Sequence, residues 1–132
     1  MQNWSIVIGR IMLGAIFLMA GINKIGAFEG TQKYMEAMGA SGDLLIPVIA
    51  LEIIGGLAVI IGWQTRWAAL ALSVFTVIAA FMFHNDFANQ MQSILFMKNI
   101  SIAGGLLFVS AIGAGAWSLD MKLNGHRGHS PA

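Results

Sequence analysis

Long apolar stretches alternate with short polar ones along this chain, and the pattern repeats four times. The apolar stretches run at about 4–24, 44–63, 66–85 and 96–117. Each is close to the roughly 20 residues that a helix needs to cross the ~30 Å hydrocarbon core of a bilayer. The polar stretch "FEGTQKYMEAMGASGD" separates the first two. Closed by Gly-rich turns, it predicts a short interfacial helix around Thr31–Met38. The last residues, "KLNGHRGHSPA", are polar, contain Gly and Pro, and show no apolar face. They predict a disordered tail over 121–132 behind a four-span domain over 1–120. The short connections favour antiparallel neighbours. The expected fold is therefore all-α, an integral membrane four-helix bundle running up-down-up-down.

Composition explains why the stretches face lipid rather than a soluble core. The chain of 132 residues is 58% hydrophobic and 10% charged, with mean hydropathy +0.77. Soluble domains carry about 25% charged residues. A net charge of +1 gives no reason to expect a nucleic-acid partner. The absence of cysteine removes disulfides, thiolate metal sites and thiol redox chemistry from the chain itself. The opening "MQNWSIVIGRIMLG" lacks a basic n-region and carries Arg10 where an apolar run belongs, so it does not read as a cleaved signal peptide.

An even number of spans puts both termini on one side. Arg10, Arg66, Lys122 and Arg127 lie on that side, and the basic bias predicts that the termini are cytoplasmic. Trp4, Trp63, Trp67 and Trp117 all fall at span ends on the same side, as an interfacial belt does. Arg10, Arg66 and Lys122 are expected to anchor there by snorkelling to headgroups.

The remaining polar residues fall in phase with small ones. At 100° per residue, Arg10, Gly14, Phe17, Gly21 and Lys24 share a face of the first span. Glu52 shares one with Gly55, Gly56 and Val59. The third span aligns Arg66, Ala69, Ser73, Ala80 and His84, and the fourth aligns Lys98, Ser101 and Gly105. Small residues mark close helix contact in membranes, so these faces are expected to meet. Depth then brings Lys24, Glu52, His84, Lys98 and Asn99 to the outer half. Glu52, about 12 Å inside its span, needs a cationic partner, and Lys24 or Lys98 is the nearest by depth. These five are the candidate ligand-binding residues, with Glu52 the candidate proton-transfer group. The catalytic residues, if the protein is an enzyme, are not identified by this pattern.

The stretches "GRIMLGAIFLMAGINKI", "YMEAMG", "LEIIGGLAVIIGWQTRWAAL", "FMFH" and "FMKNISIAGGLLF", in this order, resemble the DoxX family of small bacterial inner-membrane proteins. The resemblance runs from Gly9 to Asp120. It implies a four-helix membrane protein, and carries over Arg10, Lys24, Glu52, Arg66, His84, Lys98 and Asn99 as matching positions. It also implies an association with thiosulfate:quinone oxidoreductase subunits, methylamine-utilisation machinery and membrane redox complexes that handle oxidative stress.

Three functions are compatible with these features. The first is a redox-linked subunit that binds a quinone or another lipid-soluble molecule in an outer-half polar pocket. Lys98, Asn99 or His84 would donate to the quinone carbonyls, and the chain would carry no cofactor of its own. The second is a non-catalytic scaffold for a redox or stress-response complex. The third, a small transporter, is disfavoured by the absence of an inverted repeat or a Pro-broken span. Expected partners are membrane lipids, a redox protein and a second copy of the chain, with no metal site.

Overall fold

The computed structural model describes residues 2–126. Among these residues six α-helices follow one another: α1 (Gln2–Gly26), α2 (Phe28–Ala37), α3 (Leu45–Ile61, led in by a 3-10 turn over Gly42–Leu44), α4 (Thr65–Phe83), α5 (Gln90–Ile112) and α6 (Leu119–His126). Four helical segments, Gln2–Gly26, Gly42–Ile61, Thr65–Phe83 and Gln90–Ile112, are long and apolar enough to span a membrane. They run up-down-up-down, with α2 between the first two spans. Large apolar side chains such as Met12, Met19, Ile46, Val74 and Phe108 remain exposed around the bundle, where lipid would cover them.

The bundle is built from two close pairs, α1 with α3 and α4 with α5, and α3 packs on α4. The first pair rests on glycine. A Cβ on Gly14 would lie 2.6 Å from the Gly56 carbonyl oxygen, and one on Gly56 would lie 2.9 Å from the Leu18 nitrogen. Backbone therefore meets backbone, as small residues permit in membrane helices. In the second pair, the Ser73 hydroxyl donates to the Ala103 carbonyl at 2.9 Å. Phe17, Val59, Ala69, Leu72 and Leu106 close the middle of the bundle. Met35, Ala40 and Leu45 make a smaller cluster that holds α2 against the top of α3.

Three expectations change. The fourth span starts earlier and ends earlier than 96–117. The Asn89 side chain accepts from the backbone N–H groups of Met91 and Gln92 at 2.9 and 3.3 Å, capping α5, and Gly113 with φ 88° ends it. The face of that span is also rotated. Its buried residues are Ala103 and Leu106, not the Lys98–Ser101–Gly105 stripe. Because α5 is apolar on nearly all sides, its polar stripe does not mark the packed face, which is the one that meets the Ser73 hydroxyl.

The third change concerns the tail, which is helical over Leu119–His126 rather than disordered from 121; residues 127–132 lie outside the described part. Ser118 caps this helix by accepting from Met121 N–H at 3.1 Å. The Asp120 carboxylate accepts from Gln64 N–H and Thr65 N–H at 2.7 and 2.9 Å, tying α6 to the start of α4.

Candidate functional site

Lys24 and Glu52 come together because α1 and α3 approach so closely. One turn below Lys24, a Cβ on Gly21 would stand 3.3 Å from the Glu52 Cβ. That proximity puts the carboxylate beside the ammonium. Lys24 Nζ donates to Glu52 Oε1 at 2.8 Å and Oε2 at 3.0 Å. Glu52 is 3% exposed, so the pair is how the chain keeps a carboxylate inside an apolar span. An ammonium carries three N–H donors. Two serve Glu52 and one is left over.

This ion pair walls a cavity of about 320 Å³. His84 and Asn99 also line it, together with Phe17, Phe75, Phe83, Tyr34 and Thr76. Its roof is α2, where Tyr34 stacks on Phe83 with ring centroids 5.7 Å apart. His84 Nδ1 lies 2.9 Å from Gln92 Oε1 across the α4–α5 connection. This contact holds the ring in place at the edge of the cavity. Asn99 Nδ2 lies 3.5 Å from the Thr76 carbonyl, a long contact that leaves most of its donor capacity unused. The cavity thus offers an ammonium hydrogen, an amide and an imidazole inside aromatic and aliphatic walls.

Four of the five sequence candidates, Lys24, Glu52, His84 and Asn99, lie on this one cavity. Lys98 does not. It is exposed on the far side of α5, in a groove with Gln90, Ser93 and Ser101, and its charge takes no part in holding Glu52. The 100° step between adjacent helical positions sends Asn99 inward and Lys98 outward. Pairing of Glu52 with Lys98, one of the two options left by depth, is therefore excluded; Lys24 is the partner.

Arg10 also departs from expectation. Rather than snorkelling, it is 2% exposed and donates to the carbonyls of Val59 at 3.4 Å, Ile60 at 3.3 Å and Trp117 at 2.6 Å. It caps the open end of α3 and pins the segment before α6. Arg66 is exposed but performs a similar task, donating to Ala111 and Ile112 at 2.8 and 3.3 Å at the end of α5. Lys122 is exposed, as an anchor would be.

Sequence reasoning missed most of the cavity wall. Thr76 was within reach, since it lies between Ser73 and Ala80 on the same helical face. Tyr34 was not, nor was Gln92, which lies off the wall and holds His84, because each enters through contacts between separate elements.

Comparison with known proteins agrees with a membrane protein. Residues 5–85 match the DoxX family. Inner membrane protein YqjF of Escherichia coli is 44% identical over 94% of this chain and 95% of its own length. Inner membrane protein YphA of the same organism is 33% identical over 89% of each chain. CatD of Bacillus subtilis, which carries the provisional name of an oxidoreductase, is 32% identical over 60% of this chain and 61% of its own. No solved structure gives a significant match. With more than half of its length matched, and with four apolar helices able to span a membrane, the chain is a membrane protein belonging to the DoxX family.

Proposed function

We propose that this protein is a small redox-linked subunit of the bacterial inner membrane that binds a quinone-type molecule in the cavity beside Lys24 and Glu52. Its termini face the cytoplasm, so the cavity lies in the outer half. One observation carries this reading: a single buried ion pair faces an otherwise largely apolar cavity that also receives His84 and Asn99. An apolar pocket with a few convergent polar groups is the usual form of a small-ligand site.

The residues fit a quinone ring. Phe17, Phe75 and Phe83 supply flat apolar walls. The remaining Lys24 hydrogen and the Asn99 amide would donate to the quinone oxygens, and the His84 imidazole would donate to a carbonyl of the quinone or accept from a hydroxyl of the reduced quinol. A bound quinone would supply two-electron, two-proton redox chemistry. Glu52 holds Lys24 in place and is the nearest group able to take up a proton beside it. The provisional oxidoreductase name of CatD supports the redox assignment. Electrons would have to pass to or from a partner protein, since the chain has no cysteine to hold a thiolate-bound cofactor.

The test is purification in mild detergent, solvent extraction and mass spectrometry. A quinone at near-stoichiometric amount, reduced in Glu52→Gln, is the expected result. An empty bundle that carries one partner protein through purification would replace this reading with the scaffold.

A further inference from the structure

We propose that the cavity draws its ligand sideways from the bilayer, through the seam between α1 and α5, and that the ligand is a membrane-dissolved amphiphile whose hydrocarbon chain trails along that seam. This rests on the small-molecule site described above but names the route and the class of molecule.

The seam is a looser contact than the α1–α3 crossing. On α1, Gly9, Leu13, Ile16 and Ala20 follow one another at three- and four-residue spacing, beside the buried Gly14–Phe17–Gly21 face. Ile16 and Ala20 line the polar cavity together with Asn99 and Ile102 of α5. Gly9 and Leu13 line a second cavity of about 390 Å³ with Phe108 and Val109, farther along the same two helices. The two helices meet between these openings, where a Cβ on Gly105 would stand 3.4 Å from the Leu13 side chain. That is ordinary van der Waals contact. The Gly14–Gly56 crossing, at 2.6 Å by the same measure, is far tighter. Thus α1 is clamped to α3 and only rests against α5.

Access follows from exposure. Ile16 lines the cavity, yet it is 49% exposed near the middle of a spanning helix, where the surroundings are hydrocarbon. The opposite end is roofed by α2, through the Tyr34–Phe83 stack and the buried Met35. Volume points the same way. At about 320 Å³ the cavity is at the small end of ligand pockets, which run from about 300 to 1,000 Å³. A ring-sized head fits, whereas a chain of bilayer length does not, and the loosely packed seam is where the excess can lie.

The natural lack of cysteine makes the route measurable. Thr76 lines the cavity from α4 and does not line the neighbouring pocket between α3 and α4, so Thr76→Cys places a lone thiol on its wall. The full-length variant in proteoliposomes is offered dodecylmaleimide, which dissolves in the bilayer, or a sulfonated maleimide confined to water. The bilayer reagent should label at least about tenfold faster. Ala20→Trp, added to plug the seam, should slow it by about tenfold, an added barrier of about 1.4 kcal/mol. Ile102→Phe carries the same expectation should the tryptophan variant fail to fold. Equal labelling by the aqueous reagent, no labelling by either, or indifference to a folded plug overturns the route. Decylubiquinone should protect the thiol better than its tail-less ring analogue, and equal protection overturns the placement of the chain. If labelling runs through the seam and neither quinone protects, the route stands and the quinone assignment falls.

Discussion

Lys24 on α1 and Glu52 on α3 share an ion pair at 2.8 Å although 28 residues separate them. Gly21 is what lets them meet, because any side chain there would collide with Ile53 and crowd the Glu52 Cβ. The pair therefore depends on the helix crossing, and the crossing depends on glycine. Four consequences can be measured.

Removing one partner should cost more than removing both. Lys24→Met leaves a nearly fully buried carboxylate without its cation, and breaking a buried pair this way costs about 3–5 kcal/mol. The double variant Lys24→Met/Glu52→Leu replaces the pair with apolar groups and should recover much of the loss. Thermal unfolding of single and double variants in one detergent reads this. Additive losses would mean that the pair is not a unit.

Lys98→Ala should leave stability within about 0.5 kcal/mol of the parent, as expected for an exposed residue without a buried partner. It should also leave any bound quinone in place. A large loss in either measurement would place the Lys98 ammonium inside the bundle after all.

The helix crossing can be challenged directly. Gly56→Ala drives a Cβ into the Gly14 carbonyl and the Leu18 backbone, and overpacking of this kind costs about 1–3 kcal/mol or more. Gly104→Ala meets nothing within 4 Å and is the matched control. It should be neutral or slightly stabilising, since alanine is the better helix former. Equal effects of the two substitutions would contradict the crossing.

Arg10 and Arg66 should separate by burial. Arg10→Met strands three carbonyls at the end of α3 and before α6, each worth about 1–3 kcal/mol when buried without a donor. Arg66→Met exposes the Ala111 and Ile112 carbonyls to water or headgroups and should cost about 1 kcal/mol or less. Were Arg10 an interfacial anchor, the two losses would be alike.

The sequence by itself determined the number of spans, their order, the helix between the first two and the inward faces of three of them. Those features follow from local physics. Twenty apolar residues must cross a bilayer, and Gly14, Gly21, Gly55 and Gly56 mark the sides where helices touch. Glu52 likewise announced that a cation must stand near it. What the sequence left open was which cation, because depth alone ranks Lys24 and Lys98 equally. Only the tertiary structure decided between them. The rotation of α5 is set by its packing on α4 and by the Ser73–Ala103 bond, which turn Asn99 inward and Lys98 outward. The same holds for Arg10, a plausible headgroup anchor by position, which became a buried cap once α3 ended beside it. A helix uniformly apolar around its axis carries no phase in its own residues, and the carbonyls that an arginine will meet belong to another part of the chain.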